Sequence, residues 1–301
     1  MSKGKIVLMA LLVMVLWGSL FPMVKLGYRV YDIVTTGDIL LFAGIRFTVC
    51  GTVICLFSLI TDRKSMHLNK SSLAPVLLTG LFAIILHYSF TYTGLSITDS
   101  SKTAILKQIG MLFYVCFSFL FFKDDRLTVK KFVAAVMGFA GIVAINAGAD
   151  GISFNMGDLL ITLASFCSVF ASVVSKKTVG KVKPVALTGV SQLFGGVVLL
   201  GIGMILGGSM DFSLSYAYVL VYICVASIFS YCIWYTTVQS GDLSNLFIIK
   251  FAEPVFACLF GALILGEDIL KLRYLVAFLL IAGGIVVCNS KKRNAAGLQS
   301  K

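Results

Sequence analysis

Five ionisable side chains of this sequence fall inside long apolar runs: Arg46, His87, Lys107, Lys250 and Glu253. A charge in hydrocarbon surroundings is costly, so each is a functional candidate by default. Lys107 and Lys250 each come seven residues into their runs, which at ~1.5 Å per residue is about 9–10 Å below the surface, too deep for comfortable snorkelling. Two ammonium groups flanking a central space suit a carboxylate or phosphate on a bound solute. The alternative is that each is neutralised by a structural partner or caps helix-terminal carbonyls. Glu253 follows Lys250 by one helical turn, so the two can pair. Pro254 removes a backbone hydrogen bond behind it and favours a kink or an unwound stretch. A carboxylate at such a break either carries a proton or stands as counter-ion to Lys250 or Arg46. His87 is either a proton relay or a hydrogen-bonded core histidine. It shares a run with Tyr88 and Tyr92, and Tyr231, Trp234 and Tyr235 stand on another; these rings either line a cavity or pack. Arg46 reads as a brace for the fold more than a substrate contact.

The runs that hold these residues are of one kind. Hydrophobic residues make up 59 % of the chain and charged residues 13 %, with mean hydropathy +1.00, against about 45–50 % and 25 % in soluble domains. The excess is spread in blocks of roughly twenty residues, the length of a helix crossing a ~30 Å hydrocarbon layer. The predicted fold is therefore all-α and polytopic, with ten transmembrane helices at 6–27, 38–60, 73–95, 101–122, 130–147, 157–175, 185–207, 216–238, 243–265 and 272–288. The first run is too long for a signal-peptide core and lacks a small-residue cleavage site, so it reads as a retained helix. All eight cysteines lie in apolar blocks without metal-ligand spacing; no disulfide, metal or cofactor is expected. Gly203 and Gly207 form a GxxxG of the kind that lets helices approach closely.

Topology follows from the basic residues. With a cytoplasmic N-terminus the inside segments collect 17 Lys and Arg and the outside joints at most five. Both termini are then cytoplasmic and the helix count is even. The net charge of +12 reflects this bias and contact with anionic lipid, not nucleic-acid binding. Sliding the chain by 143 residues aligns 83–146 with 226–289 without a gap, and 20 of 64 positions are identical. The matches include Tyr88/Tyr231, Asp99/Asp242, Lys107/Lys250, Asp125/Asp268 and Gly141/Gly284. Five helices per half is an odd number, so the second half enters the membrane from the other side. The organisation expected is an inverted 5+5 repeat around a central cavity, residues 1–150 and 151–290, followed by a cytoplasmic tail, 291–301. Such repeats place a solute site near the midplane between the halves.

Several motifs resemble the EamA branch of the drug/metabolite transporter superfamily. They are Trp17-Gly18-Ser19-Leu20-Phe21, Arg46-Phe47, Gly157-Asp158-Leu159-Leu160, Ala252-Glu253-Pro254-Val255-Phe256 and Gly266-Glu267. The resemblance spans the chain and implies ten helices, with 1, 3, 4, 6, 8 and 9 around a central cavity and 5 and 10 outside. It implies membrane transport, usually export of amino acids or related metabolites, and adds Trp17 to the substrate-facing residues. The sequence departs from the branch at Cys167-Ser168, where a tryptophan is usual, and in its paired lysines.

The expectation is a secondary-active transporter in the cytoplasmic (inner) membrane, working by alternating access on an amino acid or another carboxylate- or phosphate-bearing solute. Lys107, Lys250, Tyr88, Tyr231, Trp234 and Trp17 form the substrate set; Glu253, His87 and Arg46 form the proton-coupling or counter-ion set. Expected partners are the small-molecule substrate, membrane lipids and protons as a candidate coupling ion. Efflux of lipophilic cations is the alternative, although helix 1 holds no carboxylate for it. A membrane-embedded enzyme or assembly factor is the alternative of another class. No paired aspartates, Ser/His set or histidine cluster lies within the spans, so an enzyme is not expected.

Overall fold

The computed structural model describes residues 1–95, 100–145, 155–266 and 272–289. Each of the ten predicted spans is helical over most of its described residues, and no strand occurs among them. We number the helices α1 (Lys3–Val30), α2 (Thr36–Thr61), α3 (Lys70–Gly80, a π-helical stretch Leu81–Leu86, and His87–Leu95), α4 (Ser100–Phe117) and α5 (Val129–Ile145). The second five are α6 (Met156–Lys176), α7 (Pro184–Ile205), α8 (Ala217–Ser240), α9 in two pieces, α9a (Leu243–Lys250) and α9b (Glu253–Leu265), and α10 (Leu272–Asn289). Local signals set the ends. Thr35 with Asp38, and Asn155 with Asp158, make reciprocal capping boxes at the starts of α2 and α6, satisfying backbone donors that a helix start leaves open.

Seven of the helical spans are long and apolar enough to cross a membrane, and Leu106–Leu120 and Leu275–Asn289 are shorter apolar stretches. Large apolar side chains face outward, among them Ile60, Ile205 and Leu263, each at least 80 % exposed. Lipid tails, not water, suit such a perimeter. The protein is a multi-pass membrane protein.

Hydrogen bonds sort the helix ends into two opposite faces. On one, Lys3 Nζ reaches Asn289 O, so α1 starts where α10 ends. The same face holds Lys131 at the start of α5, bonded to Asp242 before α9a, and Lys176 at the end of α6, bonded to Gly241 O. Lys183, before α7, pairs there with Asp62, which follows α2. On the other face Ser209 N donates to Asp38 Oδ1 and Tyr31 OH to Tyr216 O, joining the α1–α2 and α7–α8 connections. α9 starts on the face of the α4–α5 connection and α10 ends there. The end of α9b and the start of α10 therefore lie toward the other face.

Packing repeats that exchange. A β-carbon on Gly141 would meet Ala277 O at 3.1 Å, and one on Gly284, its match at 143 residues' shift, would meet Ala134 O at 2.9 Å. Residue 134 is in turn the match of 277, so each helix of the α5–α10 pair presents the same patch to the other, as a two-fold axis demands. Tyr88 and Tyr231, another matched pair, touch each other through their hydroxyls at 3.1 Å, so that axis passes close to them. The boundary drawn from the sequence between residues 150 and 151 and the tail lie outside the described residues, as do Asp99 and Asp268.

The α2–α7 pair is the tightest. A β-carbon on Gly44, Gly51, Gly196 or Gly203 would fall 2.3–2.5 Å from backbone nitrogen of the facing helix. Gly207, by contrast, ends α7 with φ 73° and nothing near it, so of the predicted GxxxG only Gly203 serves the close approach. Gly51→Ala should cost about 1–3 kcal/mol by overpacking. Gly201→Ala, in open space on α7, should be neutral or stabilise by under ~1 kcal/mol. Thermal unfolding of the purified variants checks the pair; equal effects would refute the packing assigned to Gly51.

Candidate functional site

Two crossings build the site. α1 meets α9b where a β-carbon on Gly18 would lie 2.5 Å from Phe256 Cβ, which brings Trp17 beside the start of α9b. α4 meets α6 at Gly110, whose N–H donates to Ser165 Oγ at 2.6 Å.

α9 breaks between these crossings. Phe251 N and Ala252 N turn to Ile248 O and Ile249 O, three residues back, at 3.3 and 3.0 Å. Pro254 has no N–H for the carbonyl of Lys250, and it sits in the first turn of α9b, where proline is tolerated. The interruption predicted near Pro254 thus falls at Phe251–Ala252. Lys250 becomes the last residue of one helix and Glu253 the first of the next.

The pairing of Lys250 with Glu253 that helical spacing would allow is not made. Among the described residues the ion pairs are Lys131 with Asp125 and Asp242, and Lys183 with Asp62. One-turn spacing brings two side chains together only on a continuous helix, and α9 is interrupted between them. Lys250, 7 % exposed, donates instead to Ser168 Oγ of α6 at 3.2 Å. Its ammonium lies 5.0 Å from the Trp17 ring and 5.5 Å from the Trp234 ring. Cation–π contact of this kind contributes about 0.5–2 kcal/mol per ring, more when dry. Lys107, from α4, places its ammonium 4.9 Å from the Phe21 ring. Trp17 and Phe21 are one turn apart on α1, so lysines from the two matched helices both lean on a single face of α1. Glu253, 9 % exposed, is in ion-pair contact with neither lysine.

An aromatic wall continues from the lysines. Trp17 packs on Tyr231 and Trp234 at ring distances of 5.5 and 5.2 Å, and Phe47 bridges Tyr88 and Tyr231 at 4.8 and 5.9 Å. Arg46 Nε donates to Ser227 Oγ of α8 at 2.9 Å, and the guanidinium lies 4.8 Å from the Phe47 ring. His87 Nδ1 is 2.9 Å from Ala164 O. A carbonyl only accepts, so Nδ1 carries the proton and Nε2 is left as an acceptor. The π-helical stretch before His87 adds a residue to the turn and sets the ring against α6.

The structure thus brings Trp17, Trp234 and Lys250 together and joins Tyr88 to Tyr231. It sets Lys107 one turn along α1 and keeps Arg46 on the α2–α8 seam. Ser168, Phe21, Phe47 and Ser227 are contacts that sequence reasoning did not name for the site. Phe21 was findable, since it stands one turn beyond Trp17; Ser168 was visible only as the small residue where a bulky one is usual. Two ammonium groups on an aromatic floor, with one carboxylate nearby, can receive an acidic group and shed it again without a strong internal ion pair to break.

Residues 4–147 and 155–289 match the EamA-like transporter family. The uncharacterized transporter YvbV of Bacillus subtilis (strain 168) is 25 % identical over 310 residues, covering 100 % of this chain and 98 % of that one. The uncharacterized inner membrane transporter YedA of Escherichia coli (strain K12) is 26 % identical over 288 residues, 92 % and 88 % of the two chains. A protein crystal structure with 20 % identity superposes with a TM-score of 0.80 over 96 % of this chain and 97 % of the other, which establishes likeness of fold.

The chain has two tryptophans, and the ammonium of Lys250 faces both. Tryptophan emission of the purified protein should therefore shift in Lys250→Met and stay as in the parent in Lys107→Met, whose ammonium lies over Phe21. Equal shifts in the two variants would refute the placement of Lys250 between the indoles.

Proposed function

This chain belongs to the EamA-like transporter family and is a membrane transporter, and from that premise we propose that it is a secondary-active carrier of a small acidic metabolite. The solute class is an amino acid or another carboxylate- or phosphate-bearing compound, moved by alternating access between two inverted halves, 1–150 and 151–290. The observation that carries this reading is the pair of matched lysines, Lys250 buried and Lys107 half-buried, leaning on one face of α1 with no carboxylate in ion-pair contact among the described residues. A buried ammonium held by rings and a serine hydroxyl keeps much of its unmet demand for an anion. A solute carboxylate or phosphate meets it with charge-assisted hydrogen bonds.

In this reading Lys107 and Lys250 bind the acidic group, while Trp17, Trp234, Tyr88 and Tyr231 shape the space around it. Glu253 and the acceptor nitrogen of His87 serve as proton-coupling or counter-ion groups, and Arg46 steadies the seam on which Tyr88 and Tyr231 sit. The carrier lies in the cytoplasmic membrane with both termini inside, because the face bearing Lys3, Lys131, Lys176 and Lys183 is the basic one. Export is the direction the family resemblance favours. Efflux of lipophilic cations fits less well: the Trp17–Trp234 box that would receive such a cation is taken by the ammonium of Lys250.

Transport by purified protein in proteoliposomes, screened over carboxylate, phosphate and amine metabolites, tests the reading. For the solute carried by the parent, Lys107→Gln and Lys250→Gln should each lower the rate by about ten- to a hundredfold, the worth of one hydrogen bond to a charge, with thermal stability retained. Parental rates in both variants would end the proposal.

A further inference from the structure

α9a is tied at its start to the other half of the chain. Lys131, 8 % exposed, donates to Asp125 Oδ1 at 2.6 Å and to Asp242 Oδ2 at 2.8 Å. Asp125, in the α4–α5 connection, also accepts from Ser244 Oγ of α9a at 3.0 Å and from Tyr114 OH at 3.0 Å. Asp242 is the N-cap of α9a and accepts from Asn245 N at 3.0 Å. One lysine of the first half thus stands between a carboxylate of each half.

The two carboxylates are not equivalent. The side chain of Asp125 is 10 % exposed and that of Asp242 39 %. If Lys131 releases Asp242, the buried charges of Lys131 and Asp125 remain paired and Asp242 passes to water. A bridge that parts at its wet end orphans no buried ion, which is the large cost of breaking a buried pair; what is lost resembles an exposed pair. The element so held is eight residues long and ends at the Phe251–Ala252 break. Phe251 is anchored at that break: its ring would lie 2.5 Å from a β-carbon on Gly138 of α5. On the same face a cavity of about 240 Å³ opens between the start of α1, α9a and the end of α10, with Lys3, Val7, Asn245 and Ile249 on its walls. Ile249 immediately precedes Lys250.

We propose that α9a is the gate of this face and that the Lys131–Asp242 bond is its latch. The proposal rests on the alternating-access reading above. In the closed state Lys131 bridges Asp125 and Asp242. Opening releases Asp242 from Lys131 and Ser244 from Asp125, α9a turns about Phe251–Ala252, and the cavity behind Ile249 extends to the ammonium of Lys250. A static brace would not place its labile bond at the exposed end or leave a void beside the element it braces.

Cys288 is a native reporter, 8 % exposed and donating from Sγ to Asn245 Oδ1 of α9a at 2.9 Å. Asp242→Asn removes the latch charge and keeps a good N-cap, since asparagine caps as well as aspartate. In the full-length protein without substrate, mass spectrometry should find Cys288 alkylated by a maleimide roughly two- to fivefold faster in Asp242→Asn than in the parent, the scale of one exposed pair. Cys50, buried between α2 and α8, should stay unlabelled in both. An unchanged Cys288 rate overturns the latch. Asn245→Cys places a thiol beside Cys288, so oxidation should staple α9a to α10, arrest transport in proteoliposomes and be reversed by reductant. Transport at the unoxidised rate with the disulfide verified overturns the gate. Because labelling needs no substrate, a Cys288 response in a protein that carries no acidic metabolite keeps the gate and rejects the substrate class. Loss of transport in the Lys107 and Lys250 variants with unaltered Cys288 labelling does the reverse.

Discussion

An ammonium group inside a bilayer must find partners or be neutralised, and the structure around Lys250 is organised by that demand. A continuous α9 would have offered Glu253 one turn away and formed an internal ion pair. The break at Phe251–Ala252 parts the two, and the ammonium meets two indole rings and the Ser168 hydroxyl. These partners hold a cation in place while leaving it able to accept an anion. An internal pair would have made solute binding a contest with a bonded carboxylate.

The same break links binding to motion. Upstream of it α9a is short and fastened at its far end by side chains; downstream α9b is fixed to α1 by the backbone approach at Gly18. A change in what Lys250 touches acts on the last residue of the movable piece. The glycine-mediated seams of α2 with α7 and α5 with α10 are too close to slide without large cost, so they form the frame against which the shorter elements shift. The two-fold exchange of contacts about Tyr88 and Tyr231 gives the frame its symmetry. The lysines depart from that symmetry, since both lean on α1, and in the proposed reading this departure makes one site of two matched charges.

Much of this was legible in the sequence. Composition and block length gave ten helices, and the 143-residue repeat matched Tyr88 with Tyr231, which proved to touch. Gly141 and Gly284 were matched likewise and make equivalent contacts. Each of these properties is carried by residue type and spacing along the chain. What stayed hidden depends on crossing geometry. Helical spacing allowed a Lys250–Glu253 pair, and the break takes that spacing away, because Pro254 starts a new helix instead of kinking the old one. Ser168 as a partner of Lys250, and Phe21 as a platform for Lys107, needed the packing of α1 and α6 against α9 and α4. Gly207 looked like half of a packing motif, yet it terminates α7, since a GxxxG does not tell a helix face from a helix end. The basic residues Lys131 and Lys176 were legible as markers of one face, but their bonds across the α8–α9 corner were not.

The central claim is that the ammonium of Lys250, held between Trp17 and Trp234, is the point at which an acidic solute binds. Thermal unfolding of the purified protein with carboxylate and phosphate metabolites tests it most directly, because a ligand that binds the folded state raises stability by about 2.7 kcal/mol at a hundred times its Kd. The account predicts stabilisation of the parent by an acidic metabolite and its loss in Lys250→Gln. Equal stabilisation of the two proteins by the same metabolite would contradict it.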